Sequence, residues 1–280
     1  MIRLSAFADE ISPDLDEQFA VLASEGIRFL DLRSAWNTNV LDFSDQQLAE
    51  IQQKLAASGM GVAAIGSPIG KVPIDSPIDE HLRRCERAIE VALALNTSFI
   101  RIFSFYPPAF PAEGNAPDPA THRDEVLRRL RTMTERARTA GVILLHENEK
   151  DIYGDTVARC VDLLRGVDDG HFVAAFDPAN YVQCGQMPYP DAYDVVRPWL
   201  RYVHVKDARE DGSVVAAGEG VSRWPDLLRR LRADGYDGVF ALEPHLAAAG
   251  RFRGFSGPAL FRHASQSFQR LLRDMGWDYA

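Results

Sequence analysis

Cysteine is the first thing this sequence is short of: Cys85, Cys160 and Cys184 are odd in number, far apart and form no Cys-x-x-Cys pair. That excludes a disulfide framework or a thiolate zinc site, and it suits a reducing compartment. Long apolar runs are missing too. No stretch approaches the ~18 uninterrupted apolar residues that span a bilayer. Met1 to Glu10 has no apolar segment behind a basic start, so no signal peptide is expected. The expectation is a soluble, cytoplasmic protein with no membrane partner. Basic excess is absent as well, with a net charge of −9. The runs Arg128-Arg129-Leu130-Arg131 and Arg229-Arg230-Leu231-Arg232 are broken by leucine and read as wet helix faces. Nucleic acid, whose phosphates call for a clustered basic surface, is not an expected partner.

What is present is an ordinary globular balance, 280 residues with 46% hydrophobic and 25% charged, enough for a substantial core. Short apolar runs alternate with amphipathic stretches from end to end. Strands are expected at Ile2–Phe7, Phe29–Leu32, Val62–Ile65, Phe99–Phe103, Val142–Glu147, Phe172–Phe176, Tyr202–Val205 and Val239–Glu243. Helices are expected at Leu15–Ser24, Asp45–Ala57, His81–Leu95, Asp124–Thr139, Thr156–Leu164, Trp224–Ala233 and Gly257–Met275, with a weaker one near Tyr189–Arg197. Several helices run into a glycine (Gly26, Gly59, Gly141, Gly235), the residue that takes a left-handed cap. Eight strand–helix units without a linker or composition break imply one domain over residues 1–280, a (β/α)₈ TIM barrel of the α/β class. The doubly wound rival lacks Gly-x-Gly-x-x-Gly after its first strand; Gly218-Glu219-Gly220 follows the seventh and reads as a turn.

Two loops stand out. The one after the fourth strand, Ser104 to about Thr121, carries Pro107, Pro108, Pro111, Pro117 and Pro119 with Phe105, Tyr106 and Phe110, and is expected to order over substrate as a lid. The one after the third runs Gly66-Ser67-Pro68-Ile69-Gly70-Lys71.

The strand ends carry the chemistry. Leu144-Leu145-His146-Glu147, Ala174-Ala175-Phe176-Asp177, Tyr202-Val203-His204-Val205-Lys206 and Ala241-Leu242-Glu243 each place a metal-competent side chain at the C-terminal end, where this fold keeps its active sites. Residues two apart share a strand face. The bulky Phe172, Phe176, Phe240 and Leu242 suit the helix side, which turns Asp177 and Glu243 into the barrel. Glu147 and His204 take the same phase. Three carboxylates and an imidazole suit a divalent ion of intermediate hardness, Mn²⁺ first, then Mg²⁺, Co²⁺ or Zn²⁺. The plainer reading is that each acid caps the next helix or pairs with an arginine. His146 points the other way and is expected to pack against a helix. Lys206 shares the face of His204 and either contacts substrate or pairs with the site carboxylates; His245 and Glu149 lie just beyond strand ends.

With these residues in view, the chain resembles the xylose-isomerase-like barrel superfamily, in its sugar phosphate isomerase/epimerase family. Phe7-Ala-Asp-Glu-Ile-Ser12, Gly66 to Lys71, His146-Glu-Asn-Glu149, Phe176-Asp-Pro-Ala-Asn180, His204-Val-Lys-Asp207 and Leu242-Glu-Pro244 carry the likeness along nearly the whole chain. The resemblance implies an ion held by Glu147, Asp177, His204 and Glu243, with Glu147 and Glu243 also exchanging protons with a substrate carbon. It implies a small carbohydrate substrate and a homo-oligomer. Candidate substrate-binding residues are Ser67, Lys71, Asn180, Lys206 and Arg209. Asn180 stands where many relatives carry histidine, and Arg209 lies near the arginine that the epimerases use.

The expected activity is therefore a divalent-metal-dependent isomerase or epimerase of a sugar, keto-sugar or polyol derivative, working by proton transfer through an enediolate. The alternatives are a metal-dependent lyase of the keto-inositol dehydratase kind, or a non-catalytic sugar-binding barrel.

Overall fold

A computed structural model describes residues 1–108, 118–247 and 256–280. Eight parallel strands form one sheet: β1 (Arg3–Ala6), β2 (Phe29–Leu32), β3 (Gly61–Ile65), β4 (Phe99–Ile102), β5 (Ile143–Glu147), β6 (Phe172–Phe176), β7 (Leu200–Val205) and β8 (Val239–Leu242). Pairing runs β1-β8-β7-β6-β5-β4-β3-β2. Among the described residues the ring closes through one parallel bridge, between Phe7 and Asp31, beside the Ser5 hydroxyl donating to Asp31 Oδ1 at 2.5 Å. This is the expected TIM barrel. Part of the lid expectation, residues 109–117, lies outside the described residues.

Alternation produces two cores. Phe7, Leu145, Val173, Ala175, Tyr202, Val239 and Ala241 fill the barrel interior, with Phe29, Phe99 and Ile143 at its edge. Phe172, Phe176, Phe240 and Leu242 face out and join the larger core beneath the helices. Register keeps inward residues level across the ring: Arg101 pairs with Leu145, Leu145 with Val173, and Ala241 with His204.

The helices follow their caps. Helix α1 (Leu15–Ser24) starts on Asp14, whose side chain accepts from Glu17 N–H. Helix α2 (Asp45–Ser58) has a capping box built on Ser44 and Gln47 and ends at Gly59 with φ +67°. Helices α3 (Ile78–Ala94), α4 (Arg123–Ala140) and α5 (Val157–Val167) continue the pattern. After β6 the chain departs from expectation. A short helix, α6 (Pro178–Gln183), begins directly on Asp177 where none was expected, while the weaker segment is helical as three successive turns, a π turn (Pro188–Ala192), an α turn, α7 (Tyr193–Val196), and a 3-10 turn (Arg197–Trp199). Proline at the first turn and the Asp177 cap explain α6, because both favour helix entry at that point. Helices α8 (Trp224–Ala233) and α9 (Gly257–Asp274) complete the ring. Among the described residues no helix is long and apolar enough to cross a membrane.

Two loops at the mouth are locked by their own backbone. Ile69 and Gly70 carbonyls accept from Phe103 and Phe105 N–H. Farther along the same ribbon, the Val72 carbonyl accepts from Tyr106 N–H and the Tyr106 carbonyl from Ile74 N–H. Gly70 sits at φ +88°, and a Cβ there would lie 2.1 Å from the Phe103 carbonyl oxygen, so only glycine fits. Gly70 N–H donates to His81 Nε2 at 3.0 Å. After β7, a buried Asp207 carboxylate accepts from the N–H groups of Ala208, Gly218, Gly220 and Ser222. Gly218-Glu219-Gly220 is thus a turn wrapped on a carboxylate.

His81 makes the first loop pH-sensitive. Burial, with Arg129 and Arg84 nearby, pushes its pKa down to about 4. In the folded protein it stays neutral and accepts from Gly70; in the unfolded chain it protonates near pH 6.5. Its contribution is present above pH 6.5 and is lost as pH falls toward 4, by at most about 3 kcal/mol. Denaturant unfolding of wild type and His81→Gln across that window should show the wild-type advantage shrinking as pH falls; parallel curves would contradict this assignment.

Candidate metal centre

Four side chains meet at the C-terminal mouth of the barrel. Glu147 ends β5, Asp177 follows β6, His204 lies in β7 and Glu243 follows β8. One ligand atom from each falls within 4.8 Å of all the others, and every one of the four is buried. His204 Nδ1 lies 3.0 Å from Glu147 Oε1 and 3.7 Å from Glu243 Oε2.

The donor set fits a divalent cation. Among the described residues, both His204 ring nitrogens, Glu147 Oε2 and Asp177 Oδ2 are buried without a partner in hydrogen-bond geometry. Buried acceptors left this way cost free energy unless a cation or donor meets them. Asp177 Oδ2 has Lys206 Nζ at 2.9 Å, a charge contact whose angle is poor for a hydrogen bond. Its other oxygen accepts from Asn180 N–H at 2.9 Å as the cap of α6. Capping and ligation are therefore divided between the two oxygens of one carboxylate. Asn148 fixes the same residue, bonding Asp177 N–H and C=O.

Electrostatics separate the three acids. Burial alone would raise Glu147, but His204 and Arg101 outweigh it and hold its pKa at about 2. Glu243 is held well below the ordinary range against the same burial, by Lys206, His245, Arg101 and His204. For Asp177 burial wins over Lys206, with the charges of Glu147 and Glu243 adding to it, and the pKa rises to about 6.

The substrate candidates scatter. Lys206 lies inside the cluster, 2.9 Å from Asp177 and 3.5 Å from Glu243, which is the pairing alternative rather than a free contact. Asn180 is buried and donates to Glu147 Oε1 at 3.3 Å and to the Asn148 carbonyl at 2.9 Å. Lys71 pairs with Glu149 at 2.8 Å over the Phe103 ring. Ser67 is fully buried and donates to the Arg101 carbonyl, so its hydroxyl serves the loop. Arg209 is exposed on the turn of a small hairpin, its N–H bonded to the Ser213 carbonyl, away from the quartet. The hairpin explains the displacement, because Asp207–Ala208 pairs back on Val214–Val215 and turns Arg209 outward. His146 packs against Phe172 on the helix side, as its phase requires.

Sequence reasoning missed the two arginines that reach the quartet, though it noted His245. Arg101 Nη1 lies 3.2 Å from Glu147 and 3.0 Å from Glu243. Arg33 reaches Asp9 and Glu10 at 2.7 Å each and Glu243 at 3.1 Å. His245 lies 3.1 Å from Glu10 and 3.6 Å from Glu243. The available signal was an arginine at an inward position of an otherwise apolar strand: Phe99, Arg101 and Phe103 share one phase, as do Phe29, Asp31 and Arg33.

A family model described as a xylose isomerase-like TIM barrel matches residues 19–271. The chain belongs to that family. Among its relatives is a 3-dehydroshikimate dehydratase of Bacillus anthracis, 23% identical over 179 residues, which are 58% of this chain and 61% of the relative. The match thus spans less than two thirds of that enzyme. Of solved structures, a D-tagatose 3-epimerase-like protein superposes with a TM-score of 0.77 at 15% identity, covering 98% of both chains. A xylose isomerase-like TIM barrel protein from Mycobacterium smegmatis, in complex with magnesium, superposes at 0.73 with 19% identity, covering 98% of this chain and 96% of that one. At such identities the structures share the fold.

If the quartet is the ion site, changing a ligand while keeping its shape should empty it. Asp177→Asn and His204→Gln should each weaken Mn²⁺ binding by more than about 100-fold, beyond what an outer hydrogen bond costs, with the circular dichroism spectrum unchanged. Elemental analysis finding wild-type metal content in both variants would refute the assignment.

Proposed function

We propose that this protein is a metal-dependent isomerase or epimerase that moves a carbon-bound proton on a free sugar, keto-sugar or polyol derivative. The observation that carries the reading is the buried convergence of Glu147, Asp177, His204 and Glu243, with both His204 nitrogens, Glu147 Oε2 and Asp177 Oδ2 lacking a hydrogen-bond partner among the described residues. When bound, a divalent ion supplies the Lewis acidity that polarises a carbonyl and neutralises charge developing on its oxygen. Three carboxylates with one imidazole favour Mn²⁺, with Mg²⁺, Co²⁺ or Zn²⁺ as substitutes.

The residues divide the remaining work. Glu147, on β5, and Glu243, after β8, share Arg101 Nη1. One of them, ionised, takes the proton from the carbon beside the carbonyl and leaves an enediolate; it or its counterpart returns a proton to the neighbouring carbon or to the opposite face. Asn180 steadies Glu147, while Lys206 places positive charge beside Asp177 and Glu243. On this reading Lys206 and Asn180 act on substrate through the carboxylates they hold, and Lys71, paired with Glu149, is the remaining candidate for direct contact. The walls exclude water, since each of the four ligands is at most 2% exposed.

The likeness to a dehydratase supports a second reading, a lyase. Removal of the same proton, followed by loss of a β-hydroxyl as water, would begin on the same glutamates. Product analysis separates the two, since an isomer conserves mass and a dehydration product is lighter by one water.

Incubating the Mn²⁺-loaded enzyme in D₂O with a panel of free ketoses and keto-polyols tests the proton step. Deuterium should enter at the carbon beside the carbonyl, and Glu147→Gln and Glu243→Gln should each slow that exchange by about 10²–10⁴-fold, the usual worth of a general base. Turnover without solvent exchange would point to a hydride shift instead. Exchange surviving both substitutions would remove the glutamates from the role.

A further inference from the structure

Arg101 stands where a cation is unusual, on the inward face of β4 between apolar neighbours, and it is 5% exposed. Its guanidinium is sandwiched, with the central carbon 4.6 Å from the Phe7 ring centre and 5.0 Å from that of Phe103. Nη2 is tied to the Gly66 carbonyl at 3.3 Å. It therefore cannot swing away, and its Nη1 bridges the two glutamates of the quartet, one at 3.0 Å and one at 3.2 Å.

A cation fixed there does two opposing things. It joins Glu147 to Glu243, two like charges that would otherwise repel across the barrel, and so holds two ligands in place. It also repels any divalent ion that binds the same oxygens. Repulsion between fixed charges at such range in a buried site exceeds the ordering of two side chains that Lys206, Asn180 and Arg33 already restrain.

We propose that Arg101 is a resident counter-ion of the metal centre, a positioning residue that keeps the glutamate pair assembled without the ion and loosens the ion once it is bound. The inference rests on the proposed metal site. Without Arg101 the loaded centre would lose one positive charge facing both glutamates and would hold its ion more tightly.

Calorimetric titration of the EDTA-stripped full chain with Mn²⁺, beside thermal melts in EDTA, tests this on wild type, Arg101→Gln and Arg101→Lys. Arg101→Gln should bind Mn²⁺ at least about tenfold more tightly and melt lower in EDTA. Arg101→Lys, which keeps the charge, should stay near wild type in both. An Arg101→Gln protein that folds only with Mn²⁺ present also supports the counter-ion role, since the ion then replaces the missing cation. One that folds in neither condition would make Arg101 a packing residue and overturn the proposal. Wild type that binds Mn²⁺ alongside an Arg101→Gln protein of equal or weaker affinity overturns the counter-ion role alone. Wild type that binds no Mn²⁺ overturns the metal site as well.

Discussion

Everything at the mouth of this barrel follows from the burial of carboxylates. Asp9, Glu10, Asp31, Glu147, Asp177 and Glu243 are each 4% exposed or less. An isolated buried charge is expensive, and breaking a buried pair costs about 3–5 kcal/mol because a partner is stranded. The fold answers by threading cations among them: Arg33 from the end of β2, Arg101 from β4 and Lys206 from the end of β7. Hydroxyls complete the network, with Ser5 and Tyr202 donating to Asp31 and Ser256 to the Glu10 oxygen that Arg33 leaves free.

That network ties the barrel together across its circumference. Asp31 on β2 is bonded to Ser5 on β1 at the closing seam, where a strand bridge joins the edges, and to Tyr202 on β7 across the interior. Arg33 links the turn after β1 to Glu243 after β8. The apolar interior supports the same geometry from below. Phe7 packs edge-on against His204, as does Tyr202, which holds the imidazole plane toward the carboxylates.

The strands and the inward phase of the quartet were legible in the sequence because alternation is a local property. Val173-Ala174-Ala175-Phe176-Asp177 states its own orientation, and every strand segment lies within a residue or two of its expected limits. Arg101 and Arg33 were equally phased but carried no chemical flag. An inward arginine declares itself only when the acids it must neutralise, 46 residues and more away for Arg101, are known to be its neighbours. Arg209 shows the opposite case. Its sequence distance from His204 was suggestive, but the Asp207-centred hairpin, built from backbone bonds to residues as far as Ser222, turns it outward. Helix α6 was hidden by its brevity, since a six-residue segment shows no full amphipathic period.

Isomerase and lyase readings share a centre and differ in what leaves the substrate, so the ion site is the claim on which both depend. Diffraction from crystals soaked in Mn²⁺ and recorded at the manganese absorption edge measures it most directly. One strong anomalous peak bounded by Glu147, Asp177, His204 and Glu243 is the expected result. A peak elsewhere, or none with Mn²⁺ in excess, would contradict it.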